Sequence, residues 1–139
     1  MMKLNRLDKH PDIQRGLVSS QSADERIVLS KLNHGISYFL NDTRLFKTQN
    51  ALLMYEKNYS PVLYVPKSDI FHRHFLPSSK TSYCPFKGEA NYWSLSVTDG
   101  IVIDTVWEYA KPKPDVGVIE NHMAFANEQS GGEYLFYEI

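Results

Sequence analysis

The chain has 139 residues, a single cysteine, and 16 acidic against 15 basic side chains, for a formal net charge of −1. That length suits one compact domain that needs no disulfide or metal to hold its core, and a lone cysteine fits a reducing, cytoplasmic setting. Near-neutral charge argues against a broad electrostatic grip on nucleic acid, and no apolar run approaches the ~18 residues that read as a membrane span.

The opening stretch, MMKLNRLDKHPDIQ, is charged throughout and has no apolar segment of the signal-peptide kind. Residues 1–25 carry no sustained period, which predicts a loosely ordered polar arm with at most a short element near Ile13, Leu17 and Val18. One domain over 26–139 follows. Short β-branched and aromatic runs predict strands at Arg26 to Leu29, Gly35 to Leu40, Ala51 to Tyr55 and Val62 to Val65, with turns at Asn41-Asp42 and at 57–61. Lys67-Ser68-Asp69-Ile70 reads as a helical turn after Pro66. Residues 76–91 contain Pro77, Pro85 and Gly88 and few aliphatics, which predicts a long loop of the kind that carries function.

Strands resume at Tyr92 to Val97 and Ile101 to Tyr109, joined through the hairpin signal Asp99-Gly100. Strict alternation in the second would put Val102, Asp104, Val106 and Glu108 on one face and Trp107 and Tyr109 on the other. Lys111-Pro112-Lys113-Pro114 must cross outside any sheet interior. His122 to Phe125 and Tyr134 to Tyr137 complete the pattern around Gly131-Gly132. The expectation is a mainly β fold, an antiparallel two-sheet sandwich or a partly closed barrel, with one or two short helical turns.

The segment Lys80 to Ala90 concentrates the chemistry: two lysines, three hydroxyls, the thiol of Cys84 and Glu89 beside Gly88, where the backbone can be approached closely. Lysine, hydroxyl and backbone N–H groups suit a phosphate or carboxylate, although the order is not that of a Walker loop. Cys84 would be a nucleophile only if Lys80 or Lys87 lowered its thiol pKa, and a buried inert thiol is the plainer account. Glu56 ends an apolar strand and is a candidate acid, base or ion-holding carboxylate. Tyr92, Trp93, Trp107 and Tyr109 suit a planar ligand or cross-strand packing. His72 and His74, two apart, could in principle join Cys84 or His122 around a metal, but the spacing is not that of a recognised site; neither metal nor cofactor is assigned.

Thr81 and the run Cys84-Pro85-Phe86-Lys87-Gly88-Glu89-Ala90-Asn91-Tyr92 resemble the signature loop of domain-of-unknown-function family 427, classified under a nucleotidyltransferase label. Asn41-Asp42-Thr43-Arg44, the block Tyr55-Glu56 through Pro61-Val62-Leu63-Tyr64-Val65-Pro66 to Asp69, and Trp107-Glu108-Tyr109 with Pro112 or Pro114, Ile119 and Ala124-Phe125 are similar to further family segments in the same order. His10-Pro11 resembles the family's opening. Phe86 stands where tyrosine is commoner and Asn41 where a small residue is usual. The resemblance implies a small mainly β fold with a central cleft; nothing in the chain matches the paired-aspartate site of well-understood nucleotidyltransferases.

The resulting expectation is a pocket for a small anionic ligand, with nucleotides and other phosphate-bearing molecules among the candidates. Lys87, Glu56 and Cys84 are its chemical groups, and Tyr64, Thr81, Gly88, Tyr92, Trp107 and Tyr109 its contacts. The alternative is a non-catalytic interaction module in which the same residues stabilise the loop.

Overall fold

Short runs of branched and aromatic residues cut by turn residues form strands along nearly the whole chain. The computed structural model describes residues 1–19, 26–126 and 129–139, the side chains of 16–19 excepted. The strands are β1 (Met2–Leu4), β2 (Ile27–Lys31), β3 (Gly35–Leu40), β4 (Thr43–Thr48), β5 (Leu52–Glu56), β6 (Val62–Pro66), β7 (Phe75–Cys84), β8 (Gly88–Val97), β9 (Gly100–Glu108), β10 (His122–Phe125) and β11 (Gly132–Tyr137). They make two antiparallel sheets, one in the order β1-β11-β3-β4 and one in the order β2-β5-β6-β10-β9-β8-β7. The sheets pack face to face as a sandwich and no barrel closes. Short 3-10 turns lie at Leu7–Lys9, Lys67–Asp69, His72–His74 and Pro114–Ile119, and one helix, α1, spans Pro11–Ser19. No helix among the described residues is long and apolar enough to cross a membrane.

The inter-sheet core is built by alternation: Ile36, Tyr38 and Leu40 from β3 meet Leu63 and Val65 from β6, Val106 from β9 and Met123 and Phe125 from β10. Phe125 lies at its centre, with ring centroids 4.7 Å from Phe46, 5.9 Å from Tyr38 and 6.1 Å from Phe75. The two-residue turn between β3 and β4 has positive φ at both Asn41 (48°) and Asp42 (66°), the twist that a tight hairpin requires.

Three segments depart from the sequence reading. Residues 43–48, unassigned above, form β4. A register shift opposite Tyr38 and Phe39 buries the neighbours Leu45 and Phe46 together, so the strand never shows the alternation that would announce it. Residues 76–91 are a hairpin rather than a long loop. β7 lies at a sheet edge and is mostly exposed, which permits its polar composition, and Pro77 falls where its register with β8 shifts.

The N-terminal segment is more structured than expected: β1 bonds to β11, and Leu7 and Ile13 plug the core. Pro11 occupies the first helical position while the His10 carbonyl accepts the N–H groups of Ile13 and Gln14, each at 3.0 Å. The side chains of Leu17 and Val18, and the part of the expected arm at 20–25, lie outside the described residues.

His10 is buried between Phe136 and His34. Burial lowers its pKa below the ordinary histidine value, and the charges of His34 and Arg15 lower it further. The unfolded chain therefore binds a proton more readily than the folded one, so stability should fall as pH drops below the usual histidine value of about 6.5. Thermal unfolding followed between neutral and mildly acidic pH should show this loss, and His10→Asn should reduce the slope.

Candidate functional site

Apolar side chains cluster on both faces of the seven-stranded sheet. Register pairing runs Leu52 to Tyr64, Tyr64 to Ala124, Ala124 to Trp107 and Trp107 to Tyr92, so these five residues form one row across β5, β6, β10, β9 and β8 on the face away from the inter-sheet core. Met54 and Val62 pair in the next row. A second apolar cluster grows on this face, closed from outside by Tyr109, Val116 and Ile119. The small Ala124 is fully buried between Tyr64 and Trp107 in this row.

A cavity of about 740 Å³ opens over this floor. Tyr64, Tyr92, Trp107 and Tyr109 supply its aromatic surface, and Tyr59, Ser60 and Pro61 of the β5–β6 turn form a side wall. Glu56, Lys87, Cys84, Ser82 and Asp104 are its polar groups. Burial raises the phenol pKa of both Tyr64 and Tyr109. For Tyr64 the neighbouring Tyr109 adds to this, a hydrogen bond from Trp107 works the other way, and Glu56 and Cys84 raise it again; for Tyr109 the further causes are Cys84, Tyr92 and Glu56. Both therefore stay neutral hydroxyls at physiological pH, suited to hydrogen bonding rather than to acting as a phenolate.

The hairpin tip brings Lys87 to this space. Pro85 sits at the second position of a turn closed by the Lys87 N–H to the Cys84 carbonyl at 3.2 Å. Gly88 follows with φ of 115°, a conformation that side chains disfavour, and a Cβ there would stand 3.3 Å from the Lys111 carbonyl. The Lys113 N–H bonds back to the Lys87 carbonyl at 3.0 Å, which anchors the tip on the Lys-Pro-Lys-Pro crossing. Gly88→Ala combines backbone strain with a close approach to main chain. It should cost about 1–3 kcal/mol, the range for an unfavourable backbone conformation, as read by calorimetric melting.

Lys87 Nζ lies 2.6 Å from Glu56 Oε1, 4.0 Å from Met54 Sδ and 5.8 Å from the centre of the Tyr109 ring. Its side chain is 12% exposed and that of Glu56 13%, so the pair is shielded from bulk water but open to the cavity. An ammonium has three donors. Glu56 takes one, and the sulfur is a weak acceptor for a second.

Seven of the residues singled out from sequence line this one space: Glu56, Lys87, Cys84, Tyr64, Tyr92, Trp107 and Tyr109. Thr81 and Gly88 do not. Thr81 is exposed and alternates with Ser82, whose hydroxyl reaches Tyr92 Oη at 2.9 Å, while Gly88 shapes the tip from behind. Phe86 lies outside the cavity under the Arg26 guanidinium, 4.1 Å from its ring centre, so the hydroxyl of the commoner tyrosine would not reach the interior.

The expected shared facing of Asp104 and Glu108 is overturned. A register shift in the pairing of β8 with β9 sends Asp104 to the cavity. Glu108 stays on the opposite face, where it accepts from Trp93 Nε1 at 3.0 Å and from Lys67 Nζ at 3.1 and 3.3 Å. Trp93 accordingly leaves the aromatic set. Alternation along β5 and β6 would have added Met54 and Val62, and Asp104, a further carboxylate in the sequence, enters the cavity without Glu108.

The histidines considered for a metal are occupied locally. His72 Nε2 is 2.8 Å from the Lys67 carbonyl, His122 Nδ1 is 2.8 Å from that of Glu120, and Arg73 donates to His74. The group of potential ligands among the described residues is instead His10, Asp12 and His34. There the His10 Nδ1 lone pair already accepts the Asp12 N–H at 3.1 Å.

A comparison of the sequence with curated proteins finds no match. A family model described as "Domain of unknown function (DUF427)", with the label NTP_transf_9, matches residues 29–135, which take in both strands of the signature hairpin, the cavity floor and the Glu56–Lys87 pair. The chain therefore belongs to the DUF427 family.

Proposed function

We propose that the cavity binds a small molecule through an acidic group placed on Lys87 and a flat, largely apolar body laid against Tyr64, Tyr92, Trp107 and Tyr109. The observation that carries this reading is the sharing of one space by an incompletely satisfied ammonium and four aromatic side chains. A carboxylate or phosphate oxygen can accept from the remaining Lys87 donors while Glu56 keeps its own bond. Because Glu56 offsets the lysine charge, affinity gains most from an acid that also offers a hydroxyl or a proton to the second Glu56 oxygen. Nucleotides and other phosphate-bearing aromatic molecules meet this description, as do aromatic carboxylic acids. Cys84 lies beside the same groups as a candidate nucleophile, and Glu56 as the candidate proton acceptor.

Titration calorimetry with benzoate, phenyl phosphate and AMP, against benzyl alcohol as a neutral control, tests the reading. Binding of the acids with quenching of tryptophan fluorescence from Trp107, and none by the alcohol, supports it. Equal behaviour of acids and alcohol removes the role of Lys87.

A second reading has its own observation. At 2.6 Å the Glu56–Lys87 pair joins the hairpin tip to the end of β5 across the cavity, which is what a structural staple in an interaction module would do.

A further inference from the structure

β9 contains a backbone feature that a plain sheet does not need. Leu95 pairs with Val102 and Trp93 with Val106, so Ile103, Asp104 and Thr105 all stand opposite the single residue Ser94. Within this bulge Asp104 has φ of +53°. The other non-glycine residues with positive φ among those described, Asn41, Asp42, Asn58 and Asn121, sit in turns; Asp104 lies inside a strand. Val102 and Val106 keep their places against the inter-sheet core on either side of it, so the irregularity leaves core packing intact and re-aims one side chain.

Asp104 is held from two strands, its side chain from β7 and its backbone from β8. Ser78 of β7 donates its hydroxyl to Asp104 Oδ1, and the Ser94 hydroxyl of β8 accepts the Asp104 N–H at 3.0 Å. Oδ2 has no hydrogen-bond partner among the described residues, and the residue lines the cavity with Trp107, Tyr92 and Ser82. Strained backbone of this kind persists where the surroundings over-determine it and is concentrated at ligand-binding sites. With Glu56 offsetting Lys87, Asp104 is the further carboxylate of the lining, on the side where the Lys80 ammonium lies 4.5 Å from the centre of the Tyr92 ring.

We infer that Asp104 is the second polar pole of the cavity, accepting a hydrogen bond from an amino or ammonium group at the far end of the ligand. The inference rests on the pocket reading above and narrows the ligand class to bifunctional molecules: an acid at one end for Lys87, a flat body for the aromatic floor, and an N–H donor at the other end for Asp104.

The test uses two pairs of probes that differ in that donor: AMP against purine riboside 5′-monophosphate, which has hydrogen in place of the 6-amino group, and 4-(aminomethyl)benzoate against 4-methylbenzoate. Each is titrated calorimetrically into the wild-type chain, Asp104→Gly and Lys87→Met. Glycine suits the positive φ, so the carboxylate is removed without adding backbone strain. In the wild type the amino-bearing member of at least one pair should bind tenfold or more tightly, as expected for a charged hydrogen bond. In Asp104→Gly that ratio should fall to about one. Binding that depends on Lys87 but shows no amino preference, or a preference that survives in Asp104→Gly, overturns the inference and leaves the pocket reading standing. Absence of Lys87-dependent binding by all four probes removes both.

Discussion

Lys87→Met should abolish measurable binding of benzoate and phenyl phosphate, because methionine keeps the length and apolar contacts of the lysine and loses only the ammonium. A charged hydrogen bond contributes about 1.5–3 kcal/mol, or roughly ten- to a hundredfold in affinity. The same variant leaves Glu56, 13% exposed, beside a thioether in place of a cation. Stability should therefore drop by about 1–3 kcal/mol, the cost of stranding a desolvated polar group. The double variant Glu56→Gln/Lys87→Met completes a thermodynamic cycle for the pair under the pocket and the staple readings. In both it should recover part of the lost stability, since neither partner then carries an uncompensated charge. Only a pocket residue makes Lys87→Met lose acid binding, whereas a pure staple shows the stability cycle alone. Denaturant unfolding together with calorimetric titration of the four proteins of the cycle decides the matter.

Phe125→Ala should have the largest effect on stability of any substitution considered. Phe125 is 2% exposed and touches the rings of Tyr38 and Phe46 from the opposing sheet. Removal of a buried phenylalanine typically costs about 3–5 kcal/mol, through lost transfer energy and the cavity left behind. Here the consequence extends through the sheet. β10 is four residues long, and its next residue back, Ala124, is fully buried between Tyr64 and Trp107 in the row beneath the cavity. Loosening β10 in the middle of the seven-stranded sheet should disturb both of those neighbours. Equilibrium unfolding should show the lower midpoint, and ligand-induced quenching of Trp107 should weaken in parallel.

Much of the β architecture is visible in local pattern because a strand's side-chain period is two and its ends are marked by turn residues. Gly35 to Leu40, Val62 to Val65 and His122 to Phe125 are delimited in this way, and the Asn41-Asp42 turn follows from the residues' tolerance of positive φ. β4 and the β7–β8 hairpin were hidden for opposite reasons: a bulge breaks the alternation of the first, and an edge position makes the second polar. β1 is held by its bonds to β11, more than a hundred residues away in the chain, and no nearby sequence announces such a pairing.

The candidate site divides along the same line. Residue types and the hairpin glycine already pointed to Lys87, Glu56, Cys84 and the tyrosines as chemistry-bearing, since their donors, charges and rings are properties of single residues. Their meeting was not legible, because Glu56 and Lys87 are separated by the two strands β6 and β7 and come within 2.6 Å only when the hairpin tip docks on the 111–113 crossing. The facing of Asp104 is the clearest case. Alternation puts it on one face with Glu108, and a bulge set by the pairing of two strands turns it to the cavity on the other. Local chemistry thus marks which side chains can act, while long-range strand registry decides which of them face the same space, because registry is an energy of whole sheets and not of any one segment.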